Sequence, residues 1–395
     1  MEKLPVGITG MGVLSAVGSS CAETLAGFRK GGHNPAAPAG FATDLDKPVF
    51  SVQENVQPYA PDDMRTLQLA FWAIDEALND ASYDLSNDTG RVGVCLGTTV
   101  ASQLNDIDFY RTFRESGEAP MAAVDRYLRG NLAAAVAAKY GLSGPTLTVV
   151  NACSSGADAI GIGLSWLRAG VCDAVIAGGA DELSRVTMSG FHALGVMSDA
   201  PCAPFDCDRR GLNLGEGAGI VVMETLAGAK RRGRDVRLTC NGYGTCGDAY
   251  HLTAPREDGS GLESAISYAL EDAGVTPSDI GFVNAHGTAT PTNDVVEGSV
   301  LAHVFGPDIL VSATKGMTGH TLGAAGGIEA VLSLLGLREG WIPGSEGFVN
   351  RDPEIPLEPV RAVTPVSCSY AISTSLAFGG NNSALVFGRS ACVLY

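Results

Sequence analysis

The chain has 395 residues, 45% of them hydrophobic and only 17% charged, with 51 glycines and a formal net charge of −17. Such length and apolar content support a large buried core and exclude the low-hydrophobicity, high-charge composition of disorder. The acidic balance, with no offsetting basic stripe, argues against nucleic acid as a partner, and no apolar run reaches the roughly 18 residues of a membrane span.

The first residues carry no basic-then-apolar signal pattern, so a cytoplasmic location is expected. The ten cysteines are scattered. There is no Cys-x-x-Cys and no cysteine pair near closely spaced histidines, so no metal site is expected and most cysteines read as small buried hydrophobes.

In chain order, strands are predicted at Val6–Thr9, Arg91–Gly97, Thr146–Val150, Ala174–Ala177, Ile220–Met223, Leu238–Gly242, Gly281–Ala285, Ile309–Ser312, Ala371–Ser375 and Ala384–Phe387. Helices are predicted at Thr66–Ala81, Asn131–Tyr140, Ser154–Ala169, Gly261–Ala273, Asn293–Phe305 and Leu322–Gly340. The alternation argues an α/β architecture with helices covering mixed sheets. Near the start, ITGMGVLSAVG holds Gly10-x-Gly12 without the third glycine of a dinucleotide site. It reads as a glycine-lined loop, with no nicotinamide or flavin bound. The run from Lys230 to Arg234 reads as a solvated helix end.

Two segments share one order of parts. TLTVVNACSSGADAIGIGLSWLRAG is a strand, a small-residue loop and a helix, and ILVSATKGMTGHTLGAAGGIEAVLSLLGL repeats it with a longer loop. The match predicts an internally duplicated fold with a site where the halves meet.

Four constellations carry candidate chemistry. Cys153 lies among very small residues where a strand gives way to a helix. A thiol at a helix start meets unsatisfied N–H groups and the positive end of the dipole, which is expected to lower its pKa and favour thiolate. His286 opens the loop HGTATP at a strand end, where Thr288 and Thr290 offer hydroxyls to an amide-bearing ligand. Lys315 and His320 lie on a Gly-rich loop, with Glu329 in the next helix; a buried lysine and a buried glutamate are expected to pair. Phe378 precedes Gly379-Gly380-Asn381-Asn382, a hairpin or tight crossing between two strand-like runs.

In this order, the cysteine elbow, His-Gly-Thr-x-Thr, Lys-x4-His-x8-Glu and Phe-Gly-Gly-Asn resemble the elongating β-ketoacyl-[acyl carrier protein] synthases across essentially the whole chain. The resemblance implies the thiolase fold, a five-layered αβαβα arrangement of two βαβαβαββ halves. Here the halves fall at residues 1–235, carrying the cysteine, and 236–395, carrying both histidines. It implies decarboxylative condensation of malonyl-[acyl carrier protein] with an acyl chain held on Cys153. His286 and His320 then support decarboxylation, with Lys315, Glu329, Asp294 and Glu297 as a charged network behind them. Thr288 and Thr290 match positions that hold a phosphopantetheine arm, and the backbone N–H groups of Cys153 and Phe378 match the oxyanion hole. Phe378 and Phe191 match aromatics of the moving loops over the acyl site.

No permanently bound cofactor is implied; the carrier's phosphopantetheine arm brings the substrate. The implied partners are an acidic acyl carrier protein, docked through Arg65 or the Lys230–Arg234 group, and a second subunit in a homodimer or a heterodimer with a chain-length factor. Asn151 and Asn381 stand where threonine is common, which is similar to specialised polyketide or polyene synthases. One alternative is a non-condensing, chain-length-factor-like subunit, a type that typically lacks the nucleophilic cysteine. A biosynthetic thiolase is another and needs a second catalytic cysteine near the C-terminus, where Cys368 and Cys392 lie.

Overall fold

The structure is a computed structural model that describes residues 5–32, 35–53, 64–85, 90–99, 107–122, 124–125 and 131–390. Its first half runs β1 (Val6–Leu14), α1 (Cys21–Lys30), α2 (Arg65–Asp80), β2 (Val92–Gly97), α3 (Ile107–Ser116), α4 (Leu132–Tyr140), β3 (Thr146–Val149), α5 (Ser155–Arg168), β4 (Ala174–Asp181), α6 (Arg185–Ala193), β5 (Gly217–Thr225) and α7 (Leu226–Arg231). The second half runs β6 (Leu238–Gly247), α8 (Ser260–Ala273), β7 (Ile280–Asn284), α9 (Pro291–Phe305), β8 (Leu310–Ser312), α10 (Lys315–Thr318), α11 (Ala325–Glu339), β9 (Trp341–Ile342), β10 (Thr364–Pro365), β11 (Tyr370–Ala377) and β12 (Asn381–Arg389).

Ten of these strands align as β3-β2-β4-β5-β1-β6-β12-β11-β7-β8. From the middle outward, each half presents its first, last, next-to-last, second and third large strand. The directions repeat as well. Two antiparallel pairings lie nearest the middle, β1/β5 and β5/β4 against β6/β12 and β12/β11. Two parallel pairings follow in each half, β4/β2 and β2/β3 against β11/β7 and β7/β8. The halves meet through the pairs Val6↔Cys240, Gly7↔Thr239 and Ile8↔Leu238.

The helices make three layers around the two halves of this sheet. Helix α2 lies on β1 and β5, α8 lies on β6 and β12, and α5 and α11 fill the space between. Patterning explains the placement. On α2, Leu67, Ala70, Ile74 and Ala77 are buried at helical spacing, the single apolar stripe of an outer helix. Every residue of α11 from Ala325 to Leu337 is buried, as a central helix requires. The two central helices touch backbone to backbone. A Cβ on Gly156 of α5 would lie 2.7 Å from Gly327 N, and one on Gly326 of α11 would lie 2.6 Å from Ala157 N. This glycine seam brings the start of α5, and with it Cys153, beside the loop that enters α11.

Some expectations change. Gly10 and Gly12 do not line a loop; β1 continues through both to Leu14. Their missing side chains admit α2, because a Cβ at either would lie 2.0 or 1.9 Å from the carbonyl oxygen of Ala77 or Ala73. Helices α1, α3 and α6 lie in segments without a predicted element. No helix among the described residues is long and apolar enough to cross a membrane.

Candidate active site

Cys153 occupies the turn between β3 and α5, directly after Ala152, whose φ of 49° is unusual for a residue with a side chain. This kink presents the thiol away from the strand. His320 reaches it from the other half, with Nε2 3.0 Å from Sγ. The His320 backbone is held on both sides: its N–H donates to Asn213 O at 2.8 Å, and its carbonyl accepts from Gly215 N at 3.0 Å. His286, at the end of β7, completes the group. The two imidazoles lie 5.2 Å apart at an interplanar angle of 88°. Cys153, His286 and His320 share one cavity of about 230 Å³ with Phe191, Phe378, Thr288 and Thr290.

Behind the rings, Lys315 lies 3.1 Å from His286 Nδ1, donates to His286 O at 2.5 Å, and pairs with Glu329. All three of these residues are almost fully buried. Glu297 feels the Lys315 charge, and both Glu297 and Asp294 also hold backbone: Glu297 anchors the start of the His286 loop, and Asp294 ties that loop to Phe205. Glu297 accepts from His286 N and Gly287 N, both at 2.8 Å, and from Thr374 Oγ1 at 2.8 Å. Asp294 accepts from Phe205 N at 2.7 Å and Ala289 N at 3.2 Å. At the cavity wall the Thr288 and Thr290 hydroxyls lie 2.9 Å apart. Phe191 stacks on Phe378 with ring centres 5.5 Å apart and turns its edge toward His320.

Electrostatics overturn one expectation. Burial pushes the Cys153 thiol up to about 11, outweighing the Lys315 charge and the Phe378 backbone N–H, which both pull it down. Desolvation therefore dominates over any benefit from the helix start. Burial also holds His286 and His320 well below the usual histidine range, with the Lys315 charge acting in the same direction. The site therefore rests as a thiol facing two neutral imidazoles. For His286 the tautomer follows from geometry: an ammonium offers donors only, so Nδ1 accepts and Nε2–H faces the cavity.

Sequence inspection missed several supports. Asp181 accepts from Thr98 Oγ1 at 2.7 Å, Thr99 N at 2.8 Å and Gly323 N at 2.7 Å, fixing the loop after His320. Thr374, Asn213 and Asn293 are likewise buried and hydrogen-bonded around the site. Cys368 packs against Gly281 and does not line the cavity, and Cys392 lies outside the described residues. Within the two proposed docking groups, Arg65 pairs with buried Glu216 and Arg232 with buried Glu224, while Lys230 and Arg231 are exposed.

The duplicated five-layer fold and a cysteine facing two histidines across its middle define the condensing-enzyme class of the thiolase fold. Comparison with known proteins narrows the class. Residues 3–229 match the family model for the β-ketoacyl synthase N-terminal domain, and residues 238–348 match that for the C-terminal domain. The chain belongs to the β-ketoacyl synthase family. It is 33% identical to 3-oxoacyl-[acyl-carrier-protein] synthase 2 of Staphylococcus aureus (strain MRSA252) over 98% of this chain and 99% of that protein. Among solved structures it is similar to the ishigamide ketosynthase/chain length factor, with a TM-score of 0.91, 31% identity, and 98% of this chain and 99% of that one covered. It is also similar to a chain in the structure of a type II polyketide synthase acyl-carrier protein in complex with its ketosynthase bound to the hexaketide, with a TM-score of 0.89, 26% identity and the same coverage.

Proposed function

We propose that the protein lengthens a carrier-bound acyl chain by two carbons through decarboxylative Claisen condensation. One observation carries the proposal: Cys153 Sγ lies 3.0 Å from His320 Nε2, with His286 lining the same cavity and its ring 5.2 Å from that of His320.

In the first half-reaction Cys153 Sγ attacks the carbonyl carbon of an acyl thioester. The carrier's C–S bond breaks, and the thiol proton leaves with the released carrier thiol. His320 Nε2–H donates to the sulfur as charge builds there. The backbone N–H groups of Phe378 and Cys153 receive the oxyanion, an arrangement whose donors act strongly in a dry pocket.

In the second half-reaction a malonyl thioester loses CO₂, and the electron pair of the broken C–C bond becomes an enolate. Its charge rests largely on the thioester oxygen, where the Nε2–H groups of His286 and His320 converge. The enolate carbon then attacks the Cys153 thioester; collapse frees the cysteine sulfur, which takes up a proton from water. Covalent capture makes the kinetics ping-pong. Thr288 and Thr290 hold the amide-bearing arm of the carrier, and no permanently bound cofactor is needed.

The proposed partner is an acyl carrier protein, as in the relative solved with its carrier. A second thiolase-fold subunit is supported by edge strand β3, where Leu147, and Val150 just after the strand, are 40% and 64% exposed. An unpaired apolar strand edge is a template for another chain. The likeness to polyketide ketosynthases, together with Asn151 and Asn381, supports a specialised polyketide or polyene substrate. A thiol-dependent reaction fits a reducing, cytoplasmic compartment.

The direct test is to incubate the enzyme with carrier-loaded saturated, unsaturated and aryl acyl groups and look for a stoichiometric adduct on Cys153 by mass spectrometry. Adduct formation that Cys153→Ala abolishes supports the proposal. No adduct and no turnover with any primer supports a non-condensing partner subunit instead.

A further inference from the structure

The stretch VVNACSSGAD ends in a carboxyl group that the chemistry above does not use. Asp158 lies in the first turn of α5 and is 4% exposed. Four donors converge on its two oxygens. Asn151 Nδ2 donates to Oδ2 at 2.6 Å and Ser154 Oγ to the same oxygen at 2.8 Å. Tyr243 OH donates to Oδ1 at 2.9 Å, and Ser383 Oγ joins it there.

The origins of these donors matter more than their number. Asn151 and Ser154 flank Cys153 in the elbow. Tyr243 comes from β6 and Ser383 from β12, paired strands of the opposite half. Strand β12 returns from the hairpin that carries Phe378, with Ala377 opposite Asn381. Asp158 thus joins the nucleophile's elbow to the strand leaving the Phe378 turn. The elbow needs such support, because Ala152 is held at a φ of 49°, a conformation that persists when its surroundings over-determine it. Ser155 adds to the restraint by accepting from Asn151 N at 2.7 Å and donating to Ala152 O at 2.6 Å. Tyr243 is fixed in turn by packing, since a Cβ on Gly161 of α5 would lie 2.3 Å from its ring.

We propose that Asp158 is a positioning residue that sets the spacing of the oxyanion hole, by holding the Cys153 elbow of one half in register with the Phe378 turn of the other. The proposal rests on the acyl-transfer reading above, in which the two backbone donors come from opposite halves. A hole assembled across such a junction is sensitive to relative shifts that leave each half intact.

The test compares two reactions of the same sulfur. Transfer from an acyl thioester needs the oxyanion donors, whereas alkylation by iodoacetamide does not. In Asp158→Ala, acyl transfer to Cys153 falls roughly 100-fold, the scale of a misplacement of about 1 Å. Alkylation at the same pH changes by less than about threefold, because no oxyanion forms. Asp158→Asn restores most of the acyl-transfer rate, since the hydroxyls of Tyr243 and Ser383 accept as well as donate. Tyr243→Phe keeps the ring against Gly161, removes one donor, and gives a smaller loss of the same kind. Equal loss of both reactions in Asp158→Ala and Tyr243→Phe overturns the proposal, as does unchanged acyl transfer. A wild-type enzyme that accepts no acyl group overturns the acyl-transfer reading and this proposal with it. A wild type that accepts one, beside an Asp158→Ala variant acylated equally fast, overturns this proposal alone.

Discussion

The Lys315 side chain lies 3.1 Å from Nδ1 of His286 and so decides which nitrogen of that ring faces the cavity. The same ammonium neutralises buried Glu329. Lys315→Met therefore has two separable effects. It leaves Glu329 buried without its cation, which costs about 3–5 kcal/mol in stability, and it frees His286 to adopt the other tautomer. The double variant Lys315→Met/Glu329→Leu recovers much of the stability, but decarboxylation stays depressed in both. Urea denaturation measures the first effect and CO₂ release from a malonyl thioester the second. Recovery of decarboxylation along with stability would remove Lys315 from the chemistry.

The raised thiol of Cys153 predicts a particular pH profile. Reactivity follows the thiolate, and a pKa pushed up to about 11 leaves little of it at neutrality. Iodoacetamide alkylation of the free enzyme should rise about tenfold per pH unit from 7 to 10, without a plateau near neutrality. Lys315→Met removes a charge that pulls the thiol down and should slow alkylation further. A plateau below pH 8 would show that the helix start prevails over desolvation after all.

The two histidines should separate kinetically. His320 touches the sulfur, whereas His286 stands beside His320 with its Nδ1 turned to Lys315. His286→Ala should lower malonyl decarboxylation at least 100-fold, the cost of losing one oxyanion donor, and leave acylation of Cys153 nearly unchanged. His320→Ala should lower decarboxylation to a similar extent and acylation by about tenfold. Single-turnover acylation and CO₂ release, measured side by side, check the split. The opposite ordering would exchange the two roles.

Carrier docking should weaken with salt, because an acidic enzyme engages an acidic partner through a local basic surface. Arg65 and Arg232 are each committed to a buried glutamate, so neither is expected to supply that surface. Arg232→Ala should lower stability by about 2 kcal/mol, the scale of hydrogen bonds to a charged group, while KM for carrier-bound substrate stays the same. Thermal unfolding and KM across a salt series test both statements.

Much of this architecture is legible before folding, and the misses have physical causes. Apolar runs mark the strands, and the long Gly/Ala-rich stretches mark α5 and α11. Gly10 and Gly12 mislead, because a glycine that admits a neighbouring helix looks in sequence like one that makes a loop. Helix α6 has few buried residues to reveal it. In the site, Cys153, His286 and His320 stand out by residue type. Asp181, Asn213 and Thr374 do not, since their importance comes from burial and from partners far away in the chain. The charge state of Cys153 depends on how much water the folded cavity excludes, which no local spacing records.

The glycine seam between α5 and α11 restricts how this family member can diversify. Where two backbones already touch, no volume remains to trade, so even Gly156→Ala would drive the nucleophile away from its imidazole partner. Variation in what the enzyme accepts must therefore come from the aromatic lid and outer cavity walls, and attempts to redesign chain length do best to leave the central helix pair alone.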